Sequence, residues 1–272
     1  MLNDILTILS FDFVQRAFIG GLLISLCCAI LGVTLVLKRF SMIGDGLSHI
    51  AFGSLAIGTF IGISPIKITI PVVIISAILL LKLKNSSKIK GDSAIAMISV
   101  SSLAIGVLLI SHSSGGNTDI YNYMFGSILA LTNLDVLLIV ILSIIILTIF
   151  FLLYNKIFLI SFDEKFAKSL GINCSLYNII IAILSALAIV IGMKMMGSML
   201  ISSLIIFPAL TSMRIFSTYN KVMLSTVILS IATFCIGMFT SIILNFPTGA
   251  TIVVINAITF CLFSLFKILT KN

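Results

Sequence analysis

Asp45 and His49 are the residues of this chain best suited to chemistry. They stand in the run Met42-Ile43-Gly44-Asp45-Gly46-Leu47-Ser48-His49, a polar island between apolar stretches. Four residues apart on a helix, the two side chains share one face, one turn from each other. A carboxylate beside an imidazole is half of a donor set for a divalent transition metal. Ionisable groups at the threshold of a membrane-length apolar segment are costly in lipid and turn toward a bundle interior or a hydrated path. The pattern predicts an ion pathway, with Ser48 as a further polar lining residue. Two plainer readings stand beside it: Asp45 as a helix cap, and His49 as a core residue satisfied by hydrogen bonds.

One Asp and one His are too few for a tight site. A two-fold axis through the pathway would supply two of each, because a symmetric pair repeats the same patch. With a helix starting near Ser41, Asp45 lies about 6 Å and His49 about 12 Å along it, at roughly 1.5 Å per residue. His49 then approaches mid-bilayer, a sensible depth for a site that must both admit and release its ion. Other polar candidates read more plainly. Asp92 suits a helix N-cap, His112 a solvated span end, and Met195 and Met196 packing near the outer face.

The elements that must carry these residues follow from composition. The chain has 272 residues, 60% of them hydrophobic and only 9% charged, with a mean hydropathy of +1.34. Soluble domains are about a quarter charged, so this is an integral membrane protein. Long apolar runs with little alternation favour an all-α helix bundle over a barrel. Apolar spans are expected near 14–37, 42–62, 66–83, 93–112, 134–153, 176–193, 198–213, 222–244 and 250–268, about eight or nine helices in one domain over 1–272. A shorter stretch at 121–132 reads as a re-entrant or interfacial helix.

The net charge of +8 is the signature of Lys and Arg collecting in cytoplasmic loops, not of nucleic-acid binding. Lys38, Arg39, Lys82, Lys84, Lys88, Lys90, Lys156, Lys165, Lys168, Arg214, Lys221, Lys267 and Lys271 fall on one side of this layout. Arg16, Lys67 and Lys194 fall on the other. The heavy side should be cytoplasmic, with the C-terminus there. The five cysteines include no Cys-x-x-Cys pair and read as small apolar residues. Gly58-x-x-x-Gly62 matches a small-residue packing motif, a match that chance readily supplies in so glycine-rich a chain. Pro208 is expected to kink or break the span at 198–213 and so to serve gating, while Pro65, Pro71 and Pro247 mark turns or span starts.

The polar stretch 161–172 reads as a short amphipathic helix. Ser161 would cap it, with Glu164 completing a capping box, and Gly171 would stop it. Phe162, Phe166 and Leu170 form an apolar stripe that suits either a membrane surface or another protein's groove.

Five segments in order resemble the membrane-spanning permease of zinc/manganese/iron-type ABC importers. They are Gly44-Asp45-Gly46-Leu47-Ser48-His49, Gly91-Asp92-Ser93-Ala94-Ile95, Tyr123-Met124-Phe125-Gly126-Ser127-Ile128-Leu129, the 161–171 loop, and Gly197-Ser198-Met199-Leu200 through Phe207-Pro208-Ala209. Leu210 and Ala96 depart from that pattern, Leu210 bearing on how its span packs. The resemblance implies two permease copies, a separate cytoplasmic ATPase, and an extracytoplasmic metal-binding protein at the bacterial inner (plasma) membrane. It implies a transport subunit, not an enzyme, moving zinc or manganese, with iron(II) also compatible, and holding no permanent cofactor. Phe162, Asp163, Glu164, Phe166, Ala167, Leu170 and Gly171 would form a coupling helix docking on the ATPase. The chain has no Gly-x-x-x-x-Gly-Lys-[Ser/Thr] phosphate loop, so ATP-driven transport requires a partner. The alternatives are an ion-coupled secondary transporter, which would show paired broken helices, and an aspartyl intramembrane protease, for which Met42 stands where a glycine is needed.

Overall fold

The computed structural model describes residues 11–84, 91–112, Met124, Gly126 and 131–270, and the regular elements among them are helices. We number them α1 (Asp12–Leu37), α2 (Ser41–Ile61), α3 (Pro65–Lys84), α4 (Gly91–His112), α5 (Asn133–Leu152), α6 (Tyr154–Phe162), α7 (Glu164–Ser169), α8 (Cys174–Met196), α9 (Ser198–Ile215), α10 (Tyr219–Leu244) and α11 (Thr248–Thr270). The short helix expected at 121–132 falls largely outside the described residues.

Eight helices, all the long ones except α2, are long and apolar enough to cross a membrane. Helix α2 has 21 residues, about 31 Å at 1.5 Å per residue, so length does not set it apart. Its Asp, His, serines and glycines dilute its hydropathy. It tolerates them because α3, α4, α8 and α9 pack around it, and its buried residues run from Ile43 to Gly58. With α2 counted, the described residues hold nine long helices, the upper bound expected from the apolar runs.

Contacts between helix ends fix the alternation. At one end Lys84 pairs with Asp92, Lys38 reaches Asn178 and Glu164, and Tyr154 donates to Asn220. At the other, Arg16 donates to Asn133 and Lys194 pairs with Asp135. The first end holds most of the described Lys and Arg, in the partition expected. Helices α1 and α8 are the most buried spans and α11 the least. Ile75, Met97, Leu108, Ile144, Leu224 and Leu262 on the outer helices are exposed apolar side chains, as a surface facing acyl chains requires.

Two glycines let central helices touch backbone to backbone. A Cβ on Gly32 would stand 2.1 Å from the Ile205 carbonyl oxygen, and one on Gly53 would stand 2.6 Å from the Ser102 carbonyl oxygen. These positions bring α1 against α9 and α2 against α4. Gly58 and Gly62 do something else: Gly58 abuts Pro65, and Gly62, at φ +76°, ends α2 and turns the chain into α3.

Pro208 does not break its span, and Pro71 does not start one. Helix α9 runs unbroken from Ser198 to Ile215 with Pro208 inside it. Proline deletes one bond, to the Leu204 carbonyl, and the fully buried flanks at Leu204, Ile205 and Ala209 hold the helix through the gap. Pro71 likewise lies inside α3, whereas Pro65 and Pro247 do border helix starts. Leu210 is partly exposed on α9, outside the packed inner face that its bulk would otherwise disturb.

Candidate functional site

Helix α2 begins at Ser41, after Phe40. Asp45 is thus its fifth residue, beyond the first-turn amides that a cap serves, and it is not the helix cap. His49 Nε2 lies 3.6 Å from Asp45 Oδ2, outside hydrogen-bond range. The other ring nitrogen, Nδ1, is buried and has no hydrogen-bond partner. Nε2 thus meets the Asp45 carboxylate at ion-pair distance while Nδ1 has no partner, so hydrogen bonds do not hold both ring nitrogens of His49. Two donors each about 2.1 Å from one tetrahedral ion stand about 3.4 Å apart, close to the separation observed.

The pair opens outward near the start of a helix that is buried through its middle, Ile50 to Ala56. Asp45 is 41% exposed and His49 24%. Met42, one turn before Asp45, is exposed too. Farther along, the face closes at Phe52 and Ala56, both fully buried, with the Phe52 ring against Gly106 of α4. Between the exposed strip at Met42–His49 and the exposed last turn at Phe60 and Ile61, this face of α2 is closed.

Ser48, expected to line the path, is buried beside the pair. Its hydroxyl is buried, donates to the Asp45 carbonyl oxygen at 2.7 Å and meets the Ser202 hydroxyl of α9 at 3.0 Å. It ties α2 to α9 and braces the turn that carries both candidate ligands. Ser202 escaped the sequence reading, although a Ser-Ser pair in an apolar span was a visible signal. On α9, Met199 and Leu210 are exposed and Ser202 and Ile206 half-buried along one face, which meets α2 at Ser202. Among the described residues no three His, Cys, Asp or Glu side chains come together, so one copy offers two ligands.

The remaining candidates resolve simply. Asp92 is the second residue of α4 and pairs with Lys84 at 2.5 Å, so it is an ion-pair partner and not the N-cap expected. His112 is exposed at the end of α4. Met195 and Met196 are fully buried, as packing residues are. The described cysteines are free thiols.

The stretch 161–172 holds the end of α6 and the whole of α7. Asp163, not Ser161, caps α7: its carboxylate accepts from the Phe166 amide at 2.9 Å. Ser161 belongs to α6, where its hydroxyl donates to the Ile157 carbonyl oxygen; that local bond removes it from capping. Gly171, at φ +78°, stops the turn as expected. Phe162, Phe166 and Leu170 are more than half exposed, while Ala167 is buried against Ile160 and Cys174. Glu164 pairs with Lys168 at 3.0 Å and with Lys38 at 3.8 Å. An apolar stripe thus projects from the lysine-rich end on a helix anchored through Ala167.

A family model described as the ABC 3 transport family matches residues 10–267. The chain belongs to the ABC 3 transport family. It is a multi-pass membrane component of an ABC transport system, not an enzyme, and this sets aside the ion-coupled carrier and the intramembrane protease. Two relatives illustrate the match. The manganese import system permease protein ScaB of Streptococcus parasanguinis is 30% identical over 250 residues, 92% of this chain and 89% of that one. The high-affinity zinc uptake system membrane protein ZnuB of Haemophilus influenzae is 30% identical over 257 residues, 94% of this chain and 98% of the other. Among solved structures, PsaBC from Streptococcus pneumoniae in complex with Fab superposes with a TM-score of 0.88 at 26% identity, covering 100% of both chains.

Proposed function

We propose that this chain is the permease of an importer for zinc or manganese, with iron(II) also compatible, and that Asp45 and His49 are its transport site. The observation that carries the site is the 3.6 Å gap between Nε2 and Oδ2. It is too wide for a hydrogen bond and close to what a shared tetrahedral ion imposes. The names of the ScaB and ZnuB relatives support the cargo. A second copy of the chain supplies the missing pair of ligands across a two-fold axis, since both candidates lie on an open strip. The lysine-rich end faces the cytoplasm of a bacterial inner membrane, the C-terminus with it. Helix α7 and its exposed stripe dock on a separate ATPase, and an extracytoplasmic binding protein delivers the ion.

Transport then works by differential access. The ion exchanges water for carboxylate and imidazole oxygen and nitrogen midway across, and the ATPase cycle decides which side the site opens to. Two carboxylates neutralise a divalent charge, which lowers the cost of holding it away from water. The direct test is ATP-dependent uptake of zinc and manganese by permease, ATPase and binding protein reconstituted in vesicles. Asp45→Ala and His49→Ala should each abolish uptake while the complex still assembles. Undiminished uptake in either variant would remove that residue from the site.

A further inference from the structure

Lys38 is a cation almost withdrawn from water: its side chain is 5% exposed. It stands in the three-residue turn between α1 and α2. Its ammonium donates to Asn178 Oδ1 of α8 and lies 3.8 Å from Glu164 Oε2 of α7. It also sits 5.6 Å from the centre of the Phe40 ring, over which Lys84 of α3 approaches to 5.9 Å. One side chain thus touches α7, α8 and the residue that opens α2.

The turn itself is tightly held. The Lys38, Arg39 and Phe40 amides donate to carbonyls of Thr34, Val36 and Leu35, and Ile43 then donates to Phe40. Arg39 occupies a left-handed conformation at φ 57°, one that non-glycine residues rarely adopt. A turn with so little freedom passes displacement on instead of absorbing it. Asp45 lies five residues beyond Phe40. A buried charge is retained only if its partners hold it, and here one partner belongs to the helix read above as the ATPase dock.

We propose that Lys38 is a positioning residue that conveys movement of α7 to the start of α2, and so to Asp45 and His49. The inference rests on the reading of α7 as the ATPase dock. When the ATPase shifts α7, Glu164 moves with it and the Lys38 ammonium follows between Glu164 and Asn178. The Lys38–Phe40 turn then re-aims the first turn of α2. Lys38 touches no ion; it acts through the helix that does.

The experiment uses the reconstituted permease–ATPase complex with Lys38→Met, Lys38→Arg and Glu164→Gln. Amide hydrogen exchange is read at 163–170 and at 41–49 with and without nucleotide, and metal imported per ATP hydrolysed is read alongside. In the unaltered complex nucleotide should change exchange in both segments. In Lys38→Met and Glu164→Gln the change at 163–170 should persist and that at 41–49 vanish. Metal per ATP should then fall about tenfold, within the range of coupling between distinct sites. Lys38→Arg should recover most of both. An unaltered ratio and an unaltered response at 41–49 in Glu164→Gln overturn the inference, even if Lys38→Met does not fold. No nucleotide response at 163–170 in the unaltered complex sinks the docking reading, and this inference with it.

Discussion

At the residue scale, the informative groups are those whose needs the protein leaves open. His49 leaves its buried Nδ1 without a hydrogen-bond partner, while its Nε2 faces the Asp45 carboxylate across 3.6 Å. Lys38 presents the opposite case, a charge held tightly by its surroundings. Burial pushes its ammonium below the usual lysine range, and Glu164 opposes that shift only in part. The unfolded chain therefore holds this proton more firmly than the folded one. The resulting penalty applies at lower pH and is relieved as pH rises through the folded value toward the ordinary 10.5. Thermal unfolding of the wild type in detergent, compared with Lys38→Met, should show relative stability rising with alkaline pH. A single proton limits the slope to about 1.4 kcal/mol per pH unit. A flat or falling difference would contradict the burial of the charge.

At the element scale, α7 is a six-residue helix, too short to persist on propensity alone. Three local devices hold it: the Asp163 cap, the Glu164–Lys168 pair one turn apart, and the left-handed Gly171 that ends it. Asp163→Ala should weaken the helix by about 1 kcal/mol, and Gly171→Ala by about 1–2 kcal/mol because a Cβ is strained at positive φ. Faster amide exchange confined to 163–170, with the spans unchanged, is the expected signature. Exchange that spreads into α8 would instead show that this helix is structurally inseparable from the bundle. The same scale explains Pro208: burial on both flanks outweighs the loss of one hydrogen bond, so a helix breaker sits inside a continuous helix.

At the scale of the whole molecule, the nine long helices leave one incongruous seam. The most polar long helix shows its carboxylate, its imidazole and Met42 on an open strip, and α9 carries Met199, Ser202, Ile206 and Leu210 along one face that meets α2 at Ser202. Ionisable groups do not face acyl chains without cost, and the second copy proposed above would cover this seam. Leu210→Cys, with the exposed Cys261 replaced by Ser, should cross-link two copies in native membranes under mild oxidation. Leu224→Cys on the lipid-facing side of α10 should not. The reverse pattern would place the subunit contact elsewhere and leave Asp45 and His49 without partners.

Much of this was legible in the chain itself. Apolar run lengths set the spans, the basic residues sorted the two ends, and the four-residue spacing put Asp45 and His49 on one face. These are local properties, dictated by helix period and by the cost of charge in lipid. Other features belong to tertiary structure alone. Lys38 reads as one more basic loop residue until Asn178 and Glu164, 140 and 126 positions away, close around it. Ser48 finds its partner only when α9 packs against α2, and the closed middle of the α2 face depends on Gly106 admitting the Phe52 ring. Such contacts depend on which helices meet and at what rotation, and hydropathy carries no information about either.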